Sequence, residues 1–152
     1  ETIWPTGKST NEEDFCIHLV TSNGKDMGGI LSKSTDWNVV DNYVDDDGKR
    51  HNLATTRMVF SQIPQVLIIS FDKKCHVQIL EKLIIDNKQY NLISTALHVG
   101  DQNDGHYISF VKRRNEWLLI NDEHMKEHEL PEEGGFYLMV YNLKTPSSQY
   151  SP

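Results

Sequence analysis

The chain has 152 residues, of which 38% are hydrophobic and 24% charged, with nine Gly and five Pro. This composition is typical of a soluble globular domain with one real core, and it excludes disordered, collagen-like and membrane-spanning classes. The net charge of −7 argues against nucleic acid as a partner, because binding to the phosphate backbone requires clustered basic side chains. We therefore expect neither nucleic-acid nor membrane partners.

The two cysteines, Cys16 and Cys75, are too few for a disulfide scaffold and belong to no cluster with zinc-ligand spacing. We therefore predict no metal and no cofactor, and a reducing compartment, either cytoplasmic or nuclear. No signal-like apolar segment opens the chain. Residue 1 is Glu rather than Met, which indicates a piece of a longer polypeptide.

The two ends of the chain differ in composition from its middle. Residues 1–14 are polar and include three consecutive acidic residues, and residues 143–152 are rich in Ser and Pro. Such segments bury little apolar surface. We predict polar tails over 1–14 and 143–152 and a single domain over 15–142.

The first predicted elements mix strand and helix. Residues 15–21 are β-branched and aromatic, which favours a strand. Ser34 or Thr35 is placed to cap a short helix, because Trp37, Val40 and Tyr43 follow at helical spacing. Residues 64–71 open with a proline and continue in an apolar run, which predicts a central strand.

The rest of the chain alternates strand-like segments with turn residues. The strands are predicted at 77–79, 82–85, 89–99, 106–112, 117–121 and 136–141. The connections are too short for crossover helices, so neighbouring strands are expected to be antiparallel. The predicted fold class is α+β, mostly antiparallel β-sheet with one short helix.

His106 is the residue that most strongly indicates a catalytic function. If Arg113 and Arg114 form a two-residue turn, His106 lies opposite Asn121, within reach of a hydrogen bond between the side chains. A three-residue turn places Asp122 opposite His106 instead. Either residue would orient a histidine base, as in a nucleophile–base–orienter triad. The alternative is that these are ordinary residues at strand ends.

Several segments resemble, in order and spacing, the histidine box of the ubiquitin-specific proteases. The segments are 97–100, 105–112, 117–122 and 136–141. Residues 63–71 are similar to a strand of the same family that precedes the box. The resemblance covers about residues 30 to 142 and is strongest from 62 onward. It implies the palm of a papain-like cysteine protease that acts on ubiquitin.

The resemblance also implies roles for individual residues. His106 matches the general base that activates a cysteine, Asn121 matches its orienter, and Asp122 matches the acidic residue that follows. His98, Tyr107 and Gly105 match positions that border the channel for the substrate's glycine-ended tail. Ubiquitin or a ubiquitin-like protein is therefore the implied partner.

The family's cysteine box has no match in this sequence. Neither Cys16 nor Cys75 begins a helix in the predicted pattern, which is where the helix dipole would favour a thiolate. The implied second partner is a cysteine-box half, upstream in the parent protein or in another chain. Three functions remain open: this half of a thiol deubiquitinase, a pseudo-protease that only binds ubiquitin or a partner, and a diverged viral papain-like protease.

Overall fold

The computed structural model describes residues 1–14, 18–20, 26–71, 76–101 and 104–145. These residues form one helix and a set of short and long strands, joined by turns and loops. The helix is α1 (Met27–Thr35), and the strands before β8 are β1 (Thr2–Trp4), β2 (Gly7–Ser9), β3 (His18–Val20), β4 (Asn38–Val44), β5 (Arg50–Thr56), β6 (Val66–Phe71) and β7 (Val77–Gln78). The later strands are β8 (Lys82–Ile85), β9 (Lys88–Gly100), β10 (Gly105–Arg113), β11 (Glu116–Asn121), β12 (His124–Glu127), β13 (Glu133–Gly134) and β14 (Phe136–Leu143).

The largest sheet has eight strands in the order β12-β11-β10-β9-β14-β6-β3, and β8 joins it by pairing with β9. Strands β9, β10, β11 and β14 pair antiparallel, which confirms the prediction for these four. Strand β3 pairs with β6 in the parallel direction. The fold is therefore α+β and mostly antiparallel, as the sequence predicted.

The core lies on one face of this sheet. Leu67, Ile69 and Phe71 of β6 are fully buried, and β6 lies between β14 and β3, so the prediction of an interior strand is confirmed. Tyr141 on β14 is also buried, and its hydroxyl donates to the Leu80 carbonyl at 2.7 Å. Desolvation by burial raises the pKa of Tyr141, which keeps the phenol neutral and able to donate.

The predicted helix over Trp37, Val40 and Tyr43 is wrong. The helix lies earlier in the chain, where Asp26 caps α1 by accepting from the backbone N–H groups of Gly28 and Gly29. Residues 38–44 instead form strand β4, which pairs with β5. Asn42 has a left-handed backbone (φ 54°), so Val40 and Tyr43 share a half-buried face three residues apart and imitate helical spacing.

Residues 1–14 are not a polar tail throughout. Strands β1 and β2 pair with each other, and β1 pairs with β5, so the start of the chain belongs to a four-stranded sheet ordered β2-β1-β5-β4. At the other end, β14 extends to Leu143, and the Lys144 N–H donates to the Gln89 carbonyl at 2.8 Å. The rest of the predicted C-terminal tail, and residues 15–17 and 21 of the first predicted strand, lie outside the described residues.

A hydrogen bond between His51 and Asp45 and two aromatic rings fix the small sheet. His51 Nε2 lies 2.7 Å from Asp45 Oδ2, and both side chains are more than nine-tenths buried. Trp4 and Tyr43 lie against the His51 ring, with centroid distances of 5.5 and 6.4 Å. The hydrogen bond from His51 lowers the pKa of Asp45, and backbone N–H donors in the same turn act in the same direction. Asp45 therefore stabilises the turn between β4 and β5.

We expect Asp45→Asn to lower the urea midpoint at neutral pH, because the variant loses the charged acceptor for His51. A carboxyl with a lowered pKa stabilises the fold above its unfolded pKa, and this stabilisation is lost as the pH falls through the folded pKa. The difference between the two proteins should therefore shrink below about pH 4, the ordinary range of a carboxyl. Urea titrations at several pH values measure this difference in midpoint.

Asp46→Asn is the matched control, since Asp46 accepts only an exposed hydrogen bond from Ser9, at 3.2 Å, among its described contacts. Asp46→Asn should change the urea midpoint little at neutral pH and at acidic pH. An Asp45→Asn effect that is equally large at neutral and acidic pH would contradict this account.

Candidate active site

Strands β9 and β10 bring the residues predicted to border the substrate channel to one end of the large sheet. Their register pairs Gly100 with Gly105, Val99 with His106, and His98 with Tyr107. Side chains alternate between the two faces of a strand, so His106 and Tyr107 point to opposite faces. His98 and Tyr107 are directly paired and share one face. His98 is at the same end of the sheet as His106 but on the other face.

The register between β10 and β11 differs from both turns considered in the sequence. Arg113 pairs with Glu116, so the two-residue turn is Arg114–Asn115, with Arg114 in the left-handed region (φ 58°). Continued along the strands, this register puts Asn121 opposite Ile108 rather than opposite His106. The predicted register is therefore wrong. His106 and Ile108 lie on the same face, so Asn121 is a diagonal neighbour of His106, and a diagonal is still within reach of long side chains.

The hydrogen bond predicted between His106 and Asn121 is present. His106 Nε2 lies 2.6 Å from Asn121 Oδ1. An amide oxygen only accepts hydrogen bonds, so the ring must donate from Nε2. A neutral imidazole that carries its proton on Nε2 has its lone pair on Nδ1, and that atom can accept a proton from a nucleophile.

Asp122 is a weaker neighbour of the same ring. Its Oδ2 is 3.8 Å from His106 Nε2, and its side chain is 77% exposed, compared with 49% for His106. At this distance the carboxylate makes no hydrogen bond, and water screens its charge. Of these two residues, Asn121 is therefore the one that is hydrogen-bonded to His106.

On the opposite face, three rings lie in a row. The His98 and Tyr107 centroids are 4.9 Å apart, and the Tyr107 and Tyr137 centroids are 5.5 Å apart. Gly105 is essential to this arrangement, because a Cβ at that position would lie 1.9 Å from His98 Nε2. The backbone N–H of His98 donates to the Gly135 carbonyl at 3.0 Å, which ties β9 to the segment before β14.

Sequence reasoning missed Tyr137 and Gly135 as neighbours of the site. Tyr137 lies within the 136–141 segment that resembles the family. It is placed beside Tyr107 by an irregularity in the β9–β14 register between Phe136 and Leu138. Strand alternation alone does not reveal such an irregularity. Among the described residues, no cluster of three or more His, Cys, Asp or Glu side chains is placed to hold a metal ion. Cys16 and Cys75 lie outside those residues.

The sequence of this chain matches one protein family over most of its length. The family model described as "Ubiquitin carboxyl-terminal hydrolase" matches residues 7–141. Ubiquitin carboxyl-terminal hydrolase A of Dictyostelium discoideum is 27% identical over 120 residues, which are 77% of this chain and 13% of that protein. Ubiquitin carboxyl-terminal hydrolase 4 of Arabidopsis thaliana is 47% identical over 36 residues, which are 23% of this chain and 10% of that protein.

Solved structures show the same fold. The SAGA Ubp8/Sgf11/Sus1/Sgf73 DUB module bound to ubiquitin aldehyde matches with a TM-score of 0.79 and 17% identity, over 95% of this chain and 40% of the matched chain. A yeast SAGA DUB module with an Sgf73 mutant matches with a TM-score of 0.84 and 18% identity, over 95% of this chain and 39% of that one. The chain thus spans well under half of these relatives. Of the helices in the described part of the chain, none has the length and apolar character of a transmembrane span.

We expect the His106 ring to populate the Nε2–H tautomer in the isolated chain, because Asn121 Oδ1 accepts from that nitrogen. Asn121→Ala should remove the preference, and Asn121→Asp should retain it, since a carboxylate also accepts. Two-bond ¹H–¹⁵N correlation spectra of the histidine rings report the tautomer. A tautomer ratio that is the same in the wild type and in Asn121→Ala would contradict the assigned hydrogen bond.

Gly105→Ala should displace the His98 ring, because the added methyl group would overlap it, and should cost about 1 to 3 kcal/mol of stability through overpacking. Nuclear Overhauser contacts between the His98 and Tyr107 rings should weaken, whereas the His106 tautomer on the other face should not change. Gly28→Ala is a suitable control, since its Cβ would meet only Asp26 Oδ1, at 3.6 Å. Unchanged contacts between the two rings in Gly105→Ala would contradict the close packing of the His98 ring against position 105.

Proposed function

Because the chain belongs to the ubiquitin carboxyl-terminal hydrolase family, we propose that it supplies the histidine half of a thiol deubiquitinase active site. In this proposal His106 is the general base and Asn121 its orienter. The nucleophilic cysteine comes from a cysteine-box segment outside these 152 residues, since neither Cys16 nor Cys75 lies in such a motif. The observation that carries the proposal is the 2.6 Å contact between His106 Nε2 and Asn121 Oδ1.

The proposed reaction uses the Nδ1 atom of His106, since Nε2 is hydrogen-bonded to Asn121. Nδ1 takes the proton of the cysteine thiol, and the thiolate attacks the carbonyl carbon at the end of the ubiquitin tail. As the C–N bond breaks, the imidazolium returns the proton to the leaving amine. A water molecule, deprotonated by the same nitrogen, then hydrolyses the thioester. Asn121 keeps the ring in the tautomer and orientation that this sequence requires.

The neighbouring residues have supporting roles in the proposal. Asp122, at 3.8 Å and largely exposed, favours the imidazolium form only weakly because solvent screens it. His98 and Tyr107 are proposed to border the ubiquitin tail where it passes the end of the sheet, since they lie at the same end as His106 but on the other face. Gly105 leaves room for the His98 ring. One solved relative, a SAGA DUB module, is bound to monoubiquitin, which supports ubiquitin as the partner. The need for a reduced cysteine supports a cytoplasmic or nuclear location.

A ubiquitin probe with a cysteine-reactive C-terminus tests the proposal. The isolated chain should not be labelled, because a histidine and its orienter form no covalent intermediate. A cysteine-box segment from the parent protein or a homologous hydrolase should restore labelling of its own cysteine when it is added to the chain. His106→Ala should then slow labelling by about 10² or more, the usual contribution of a general base. Gel shift and mass spectrometry measure the adduct.

His124→Ala is the matched control, because His124 is an exposed histidine on the nearby strand β12 and should leave the rate unchanged. Two outcomes would contradict the proposal. Labelling of the isolated chain that is lost in Cys16→Ala would identify a complete, rearranged protease. Binding of ubiquitin without labelling, even with the cysteine box supplied, would identify a pseudo-protease.

A further inference from the structure

Strand β10 carries His106 between two neighbouring strands, β9 and β11. On the β11 side, Asn121 Oδ1 lies 2.6 Å from the Nε2 atom of the ring. On the β9 side, Val99 is the residue paired directly with His106. Directly opposed residues share a face, and their Cβ atoms lie about 4.5–5.5 Å apart. Val99 therefore flanks His106 on the side opposite to Asn121.

Packing of the core does not account for the apolar side chain of Val99. The side chain is 48% exposed, and the described residues that form or pack against the core do not include it. By contrast, Leu97, the preceding residue on the same face, is buried. Single exposed apolar side chains are common, and valine is favoured in strands in any case. What distinguishes Val99 is its place beside the proposed base.

The direction of the His106 ring gives this place its significance. The two nitrogens of an imidazole are separated by one carbon atom and point to different sides of the ring. Because Nε2 is directed toward β11 by its contact with Asn121, Nδ1 is directed away from β11, over the side on which β9 lies. A group that reaches Nδ1 must therefore pass beside the residue at position 99.

Valine suits this position because its side chain has neither a hydrogen-bond donor nor an acceptor. It leaves the lone pair of Nδ1 available, and it excludes water from part of the space beside the ring. A hydroxyl group at the same position would donate to Nδ1 and compete with any other donor. Threonine has the same branched shape as valine, so the substitution Val99→Thr isolates this effect.

We propose that Val99 is a positioning residue, which keeps the space beside Nδ1 apolar and thereby reserves this nitrogen for the incoming thiol. The inference deepens the proposed hydrolase function and rests on it for the identity of the nucleophile. The effect of Val99 on access to Nδ1 is a property of the 152-residue chain alone, so it can be measured without the cysteine.

Diethyl pyrocarbonate, which acylates the unprotonated nitrogen of histidine, measures access to Nδ1 in the isolated chain. Mass spectrometry of the digested protein gives the rate at each histidine, and the exposed His124 serves as the internal reference. Val99→Thr should slow the modification of His106 relative to His124 by about threefold or more, which is within the usual net contribution of one hydrogen bond. Val99→Ile should react like the wild type, because it retains an apolar, β-branched side chain.

Ile93→Thr is the matched control. Ile93 lies in the same strand and on the same face as Val99, is 37% exposed, and is nearer the middle of β9, away from His106. Ile93→Thr introduces the same hydroxyl group and should leave the ratio of the two modification rates unchanged. Urea midpoints show whether each variant is folded. If Val99→Thr lowers the midpoint sharply, Val99→Ser replaces it, since serine carries the same hydroxyl on a smaller side chain.

In the completed hydrolase, labelling by the ubiquitin probe measures the consequence for the reaction. Val99→Thr should lower the maximal labelling rate by about threefold or more, because its hydroxyl competes with the thiol for Nδ1. Val99→Ile should retain the wild-type rate. The probe concentration that gives half of the maximal rate should not change, because Val99 acts at the base and not on the binding of ubiquitin.

Two results in the isolated chain would overturn the proposal: an unchanged rate of His106 modification in Val99→Thr, or equal effects of Val99→Thr and Ile93→Thr. A completed wild type that is labelled, with a maximal rate that Val99→Thr does not affect, would overturn the inference and leave the hydrolase function standing. Slower modification in Val99→Thr, together with a wild type that is never labelled, would contradict the hydrolase function and still support the effect of Val99 on Nδ1.

Discussion

The pairing of strand β9 is the constraint on which the rest of the structure depends. Its 13 residues pair with β10 and β14 over much of their length and with β8 at the start. The core residues Tyr90 and Leu92 lie near its beginning, and His98 lies near its end. A shift of one residue in β9 would turn its buried side chains to the other face. The register of β9 therefore fixes the core and the active-site end together.

The site is formed by two adjacent hairpins. The β9–β10 hairpin sets the face to which His106 points, and the β10–β11 hairpin brings Asn121 to it diagonally. This arrangement gives His106 a defined tautomer although the ring is half exposed, because a hydrogen bond from Nε2 fixes it. Among the described residues, none has a recorded contact with Nδ1 of His106, which suits the proposal that a nucleophile from another segment approaches this nitrogen.

Sequence patterns predicted the long strands of the large sheet well, because alternation and turn residues act locally. They failed where a backbone irregularity changes the period. The left-handed Asn42 gave Val40 and Tyr43 a helical spacing within a strand, and the turn at Arg114–Asn115 moved the β10–β11 register. The contact between His106 and Asn121 was nevertheless predicted, because opposite and diagonal neighbours on one face are both within reach. Short strands such as β1 and β2 gain their stability from pairing, β1 with β5 and β2 with β1, which local composition does not show.

In the proposed hydrolase, the cysteine nucleophile must approach Nδ1 of His106, because Nε2 is hydrogen-bonded to Asn121. A crystal structure of this chain in complex with the proposed cysteine-box segment tests this requirement most directly. The account predicts the cysteine Sγ within hydrogen-bond reach of His106 Nδ1, with the Asn121 contact to Nε2 retained. A sulfur atom placed against Nε2, or on the opposite face beside His98 and Tyr107, would contradict it.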